Sequence, residues 1–228
     1  MTPDRSDTTT DTKFLTQNWE GFKKYATKAG IQRSENGNFI SLLETLEERE
    51  VFLTPASTRE AYVGCFWGSL VEHSMRTMSY MIKLKTAYGL DKVITTDSVV
   101  TVGLFHDVGK VGCLSTKEPY YLWNESDWHR SKLGQYFEVN PKLGFITPQQ
   151  LSLKTLTDHS INLSLEEWYA ISSLQSSQED QQQRLWLKEN EPPLAMVLKH
   201  AITASSRDMK NRKRVADLTQ IGRENHTK

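Results

Sequence analysis

The chain has 228 residues, 37% of them hydrophobic, enough to bury one good core in a single domain. Its 28 Lys+Arg residues balance 28 Asp+Glu, so no overall field draws it to nucleic acid or to a membrane surface, and any polyanion site must be local. No apolar run approaches a membrane span, the polar start Met1-Thr2-Pro3-Asp4-Arg5-Ser6 lacks the apolar core of a signal peptide, and two cysteines, Cys65 and Cys113, build no disulfide framework, so the sequence reads as a cytosolic protein with reduced thiols.

In chain order, Met1 to Thr12 is rich in Thr and Asp without apolar periodicity and is expected to be disordered. Phe14, Leu15, Trp19, Phe22 and Tyr25 recur at helical spacing and predict a first helix that Gly30 can close in a left-handed conformation. A second helix is predicted over roughly Asn38 to Arg49, with Ile40, Leu42, Leu43 and Leu46 inward. Pro55 ends this tract, and small polar residues form a loop into a helix bearing His73, whose apolar face is Leu70, Val71, Met75, Met78, Met81 and Ile82. Asp97 or Ser98 can cap the next helix, Val99 to Val108, which is apolar nearly throughout and therefore central; Gly109 then breaks it.

Tyr120 to Trp123 and Gln135 to Val139 are short, aromatic and β-prone, and predict a small hairpin beside the site. Between them Trp128, His129 and Arg130 offer an aromatic plane, an imidazole and a guanidinium, which suit a nucleotide base and phosphate; Arg59 is a further substrate-binding candidate. Ser164-Leu165-Glu166-Glu167 is a capping box that starts a helix through Trp168 and Ile171, and Asp158-His159 just before it is assigned to the surface. Ser172 to Arg184, rich in Gln and Ser, reads as a mobile loop, and Pro192-Pro193 opens a late helix. The basic run Arg207 to Arg214 is a solvated helix end, and nucleic-acid contact would be confined to it. The expected organisation is a disordered 1–12, one helical domain over 13–209, and a basic tail over 210–228.

The chemistry lies in Val71-Glu72-His73-Ser74 and Leu104-Phe105-His106-Asp107-Val108-Gly109-Lys110. Two imidazoles and a carboxylate are set inside hydrophobic helices, where an unpartnered polar group costs several kcal/mol, so a metal or a hydrogen-bond network must satisfy them. A lone buried His is usually a hydrogen-bonded core residue; three such groups together favour one divalent ion, Mn, Fe, Co, Ni or Zn over calcium, with Mg as a further candidate.

An isolated His followed by a His-Asp doublet at the end of an apolar helix, then Gly-Lys, resembles the HD superfamily of metal-dependent phosphohydrolases. Thr54-Pro55-Ala56-Ser57-Thr58-Arg59, Gly68 to Ser74, and Ser126-Asp127-Trp128-His129-Arg130 with Leu133-Gly134 look like a small branch of that superfamily found mainly in bacteriophages and some bacteria. The likeness runs from about Val51 to Arg207. It implies an all-α bundle of six to eight helices with a small hairpin, and a metal held by His73, His106 and Asp107. In the family a fourth ligand, an Asp, lies on a late helix; Pro193 to Thr203 resembles that helix with Thr203 in the place of the Asp, and Asp208 could substitute only through a shifted register. Leu174-Gln175 stands where many relatives carry a further His-Asp pair.

Two functions follow from the resemblance. One is a phosphohydrolase for a nucleotide or related phosphate ester, with Asp107 orienting water and Lys110 neutralising phosphate, acting in the cytoplasm, a host's if phage-encoded. The other is a catalytically impaired scaffold that binds a nucleotide or a host protein.

Overall fold

A computed structural model describes residues 6–174 and 189–210. The chain is mostly helical, with eight α-helices among the described residues and one two-stranded sheet: α1 Ser6–Gln32, α2 Asn36–Glu48, α3 Ser69–Ala87, α4 Thr96–Phe105, β1 Tyr121–Trp123, α5 Asp127–Leu133, β2 Phe137–Val139, α6 Pro148–Asp158, α7 Leu165–Ser172 and α8 Pro193–Lys210. Short 3-10 turns cover Val51–Leu53 and Val108–Val111. No helix among the described residues is long and apolar enough to cross a membrane.

The core forms around α4, whose residues from Val99 to Phe105 are all buried. Phe105 receives Phe22 of α1 and Phe39 of α2 edge-on, at ring-centroid distances of 5.3 and 5.9 Å, an arrangement that suits aromatic quadrupoles. Against the other side lies α3, which also packs on α1 and, most extensively, on α8. The α3–α4 crossing is close because Gly103 has no side chain: a Cβ there would stand 2.7 Å from Met78 Cα. That approach brings the two histidine-bearing segments within reach of each other.

Several sequence expectations shift. The helix α1 begins at Ser6, so the stretch 6–12 expected as disordered is helical, while 1–5 lie outside the described residues; extending a helix adds one hydrogen bond per residue and needs no apolar face. Gly30 does not end α1, which runs to Gln32, and the left-handed residue is Ser34; Gly30 instead lies against the Phe39 ring. In α2 the buried stripe is Phe39, Leu42, Leu43 and Leu46, which leaves Ile40 turned outward. Tyr25 and Ile82, expected on apolar faces, are also exposed, each lying at the edge of its helix's buried stripe. The cap of α4 is Thr95, whose hydroxyl accepts from Ser98 N–H, and α4 stops at Phe105 rather than Val108. The capping box at Ser164 and Glu167 is formed. Sequence positions 175–188 and 211–228, which include most of the expected Gln-rich loop and basic tail, lie outside the described residues.

The sheet pairs Tyr121 with Val139 and Trp123 with Phe137, antiparallel, and the short helix α5 joins its strands. It covers a second apolar cluster, Leu15, Leu53, Trp67 and Phe137. Between α2 and α3 the chain from Thr54 to Gly68 forms a tight loop: the amides of Ala56 and Ser57 both donate to Gly64 O, and Ala56 N–H also reaches Ser69 Oγ at 2.8 Å.

Candidate metal centre

Three elements converge on one buried point. His73 lies on the second turn of α3, His106 follows the last residue of α4, and Asp107 starts the 3-10 turn Val108–Val111. One donor atom from each lies within 4.8 Å of the other two, and the imidazole centroids are 5.6 Å apart. This buried group could hold a metal ion. Bonds of about 2.1 Å would require the three atoms to close by on the order of 1 Å.

His106 is wholly buried. Its Nδ1 is 3.0 Å from Gly103 O, and since a carbonyl only accepts, Nδ1 carries the proton and the Nε2 lone pair faces the cluster. That Nε2 is buried without a hydrogen-bond partner and stands 3.7 Å from Asp107 Oδ2. His73 Nδ1 shares a hydrogen bond of 3.2 Å with Ser205 Oγ of α8. Both Asp107 oxygens are engaged: Lys110 Nζ donates to Oδ2 at 2.5 Å and Gln149 Nε2 donates to Oδ1 at 3.0 Å.

The electrostatics put each group in the form a metal requires. Burial, reinforced by the neighbouring His106, lowers His73 to about 3, and burial likewise lowers His106, so both rings are neutral near pH 7. Burial alone would raise Asp107, but the Lys110 ammonium and the two imidazoles prevail and hold the carboxyl well below its usual range. Neutral imidazole nitrogens and an ionised carboxylate form a donor set for a divalent first-row cation. The unsatisfied Nε2 of His106 is a fit for such an ion, since an orphaned buried acceptor is otherwise a standing penalty.

Gly109 holds the doublet in place without being a left-handed helix breaker. A Cβ on it would collide with Pro148 O and lie 2.6 Å from Ser152 N, and its amide donates to Ser152 Oγ at 2.8 Å. The N-terminus of α6, fixed by the Thr147–Gln150 capping box, is thereby seated on the His-Asp turn. Gln149, the next residue after Pro148, is carried into contact with Asp107.

The late helix faces the centre in a different register from the one expected. Thr203 is exposed and its hydroxyl donates back to Lys199 O at 3.0 Å. The buried stripe of α8 runs through Leu194, Val197, Leu198, Ala201 and Ser205, about half a turn from Thr203. Ile202 and Ser206 border the cleft. Asp208 is not a substitute ligand, because its carboxylate pairs with Arg76, which also binds Glu72 at 2.8 Å.

His73, Asp107 and Lys110 open into a cleft of about 360 Å³ whose other wall is the 56–63 loop. Lys110 also lines a larger cleft of about 640 Å³, walled by Pro55, Trp67, Tyr121 and Trp123. Arg59, Trp128 and Arg130 line neither of these. Arg59 is bridged to Gln135. Trp128 projects from α5 with 58% of its surface exposed, and Arg130 stacks over Trp123 at 5.4 Å while bonding Asn124 O and Asp127. His159, assigned to the surface, is half-buried, with Nε2 3.2 Å from Thr45 Oγ1.

Sequence reasoning does not find Gln149, Ser205 or Ser206. Thr147-Pro148-Gln149-Gln150 carries a readable helix start, but nothing local connects it to Asp107. Comparison with protein-family models, with curated proteins and with solved structures found no match for the chain.

Proposed function

We propose that the chain is a metal-dependent phosphohydrolase of the HD type, acting on a nucleotide or a related phosphate ester. The observation that carries this reading is His106 Nε2, a fully buried lone pair without a partner beside an ionised Asp107 and a neutral His73. A divalent ion held by these three would supply Lewis acidity at a phosphoryl oxygen and acidify water near neutral pH.

The protein's own groups divide the remaining work. Gln149 and Lys110 fix the Asp107 carboxylate from both sides, which leaves it oriented to hold a water proton. Lys110 lines both clefts, so its ammonium is placed to pair with a substrate phosphate as well as with Asp107. The aromatic wall of the larger cleft, Trp67, Tyr121 and Trp123, is of a size and chemistry that admits a nucleobase.

A second reading, an impaired HD scaffold that binds a nucleotide or a host protein, is favoured by α8, which presents Ile202, Ser205 and Ser206 to the centre and no carboxylate. Turnover separates the two. The Mn-loaded protein should release phosphate, pyrophosphate or triphosphate from a member of a nucleotide panel, and Asp107→Ala should lose that activity with the fold retained. Nucleotide binding without turnover supports the second reading; turnover that survives Asp107→Ala places the activity elsewhere.

A further inference from the structure

The charge count of the smaller cleft points beyond a metal alone. Among its lining residues Asp107 is the single carboxylate and Lys110 the single cation, and they sit 2.5 Å apart. Every other lining residue, from the 56–63 loop, α3 and α8, carries no fixed charge. With both imidazoles ligating as neutral rings, the centre sums to zero before an ion arrives and to two positive charges afterwards. Outside that lining, Glu72 and Asp208 share the one cation Arg76, so this trio offsets one of the two charges and leaves the other.

The positive charge that remains beside a wholly buried His106 is disfavoured, because the low dielectric weakens its solvation. We infer that the centre binds its divalent cation and an oxyanion as a cooperative pair, a phosphate or phosphoryl group supplying the negative charge that the α8 position leaves out. Donors for such an anion are present on the same walls: the Lys110 ammonium and the hydroxyls of Ser57 and Ser206. The metal then prefers the phosphate-bound protein, and by reciprocity the phosphate prefers the metal-bound protein by the same factor. This inference rests on the metal reading above and names what completes it.

The test is a titration of the full chain with Mn(II), with free Mn followed by its aqueous paramagnetic resonance signal. It is run in phosphate-free buffer, in low-millimolar inorganic phosphate, and in chloride of equal ionic strength, with protein-free controls for Mn–phosphate association. Phosphate should lower the Mn Kd by about tenfold or more, and chloride should leave it unchanged. Lys110→Met removes one positive charge, so Mn should bind this variant more tightly in phosphate-free buffer, and the gain from phosphate should shrink. An Mn Kd that is the same with and without phosphate overturns the inference and leaves the metal reading standing. Weaker Mn binding by Lys110→Met in phosphate-free buffer also overturns it. No Mn binding under any condition removes both.

Discussion

Ser205 Oγ lies 3.2 Å from His73 Nδ1, a buried hydrogen bond between α8 and α3 that ties the late helix to the His73, His106 and Asp107 group. It turns Ser206 and Ile202 toward the cleft and Thr203 toward solvent.

A carboxylate introduced at Ser206 should therefore act as a fourth ligand, and one at Thr203 should not. Ser206→Asp is expected to tighten Mn binding by about tenfold, roughly 1.4 kcal/mol, while Thr203→Asp leaves the Kd where it was. Calorimetric titration of both variants checks this. The opposite ranking would mean that α8 is rotated from the register described.

Metal should also register in stability. A ligand that binds only the folded state contributes RT ln(1 + [L]/Kd), about 2.7 kcal/mol at a hundredfold excess over Kd, so millimolar Mn is expected to raise the Tm of the wild-type chain. His106→Ala removes the orphaned Nε2 and leaves a cavity, which lowers the Tm itself; the informative quantity is the Mn-dependent increment, which should vanish. An undiminished increment in His106→Ala would sink the assignment of His106 as a ligand.

Acid should destabilise the metal-free chain in a defined window. His73 ordinarily titrates at 6.5 and is lowered to about 3 in the folded state, with burial the main cause, so between those values the unfolded chain binds the extra proton and stability falls as pH falls. His106 is shifted in the same direction, and Asp107, held below its ordinary value of 3.8, adds a loss at lower pH. Each proton taken up on unfolding contributes a slope of about 1.4 kcal/mol per pH unit. Urea unfolding at a series of pH values should show a decline that begins near 6.5 and is shallower in His73→Gln. A flat profile down to pH 5 would contradict neutral buried imidazoles.

At Gly109 the space is taken by the backbone of α6, so Gly109→Ala must push Pro148 and Ser152 away. The expected destabilisation is about 3 kcal/mol, accompanied by weaker Mn binding as Gln149 is drawn off Asp107. Gly37, in the first turn of α2, has nothing within 4 Å of the position a methyl group would take, and is the control; Gly37→Ala should be neutral or stabilising by up to about 1 kcal/mol. Equal losses at the two positions, measured by urea unfolding, would refute the packing account.

What could be read from the sequence was local. The apolar run Val99 to Phe105 announces a central helix, and the His-Asp doublet at its end joins His73 in a buried group that could hold a metal. Ser164 and Glu167 specify their own capping box three residues apart. In α8 the helical spacing of Leu194, Val197, Leu198 and Ala201 sets Thr203 about half a turn from the buried stripe, against the place the resemblance implies for it, but the contact of Ser205 with His73 was not legible, because Ala204, Ser205 and Ser206 are all small. Nor was the pairing of Gln149 with Asp107, which depends on how closely α6 approaches Gly109. Trp128 and Arg130 have suitable chemistry, but α5 directs the first to solvent and places the second over Trp123.

The loop that walls the smaller cleft is strapped to the hairpin: Glu60 N–H donates to Gly134 O, Phe137 N–H donates to Thr58 O, and Arg59 bridges Gln135. The opposite wall, α3 and α8, is anchored in the main core. The loop therefore cannot shift without loosening its ties to β2 and the end of α5, while the helices opposite it stay fixed in the core. The shape of the cleft is thus set in part from the hairpin, so a side chain at Gly134, which lies against Glu60, would reshape the wall opposite Asp107 while touching none of the residues that line it.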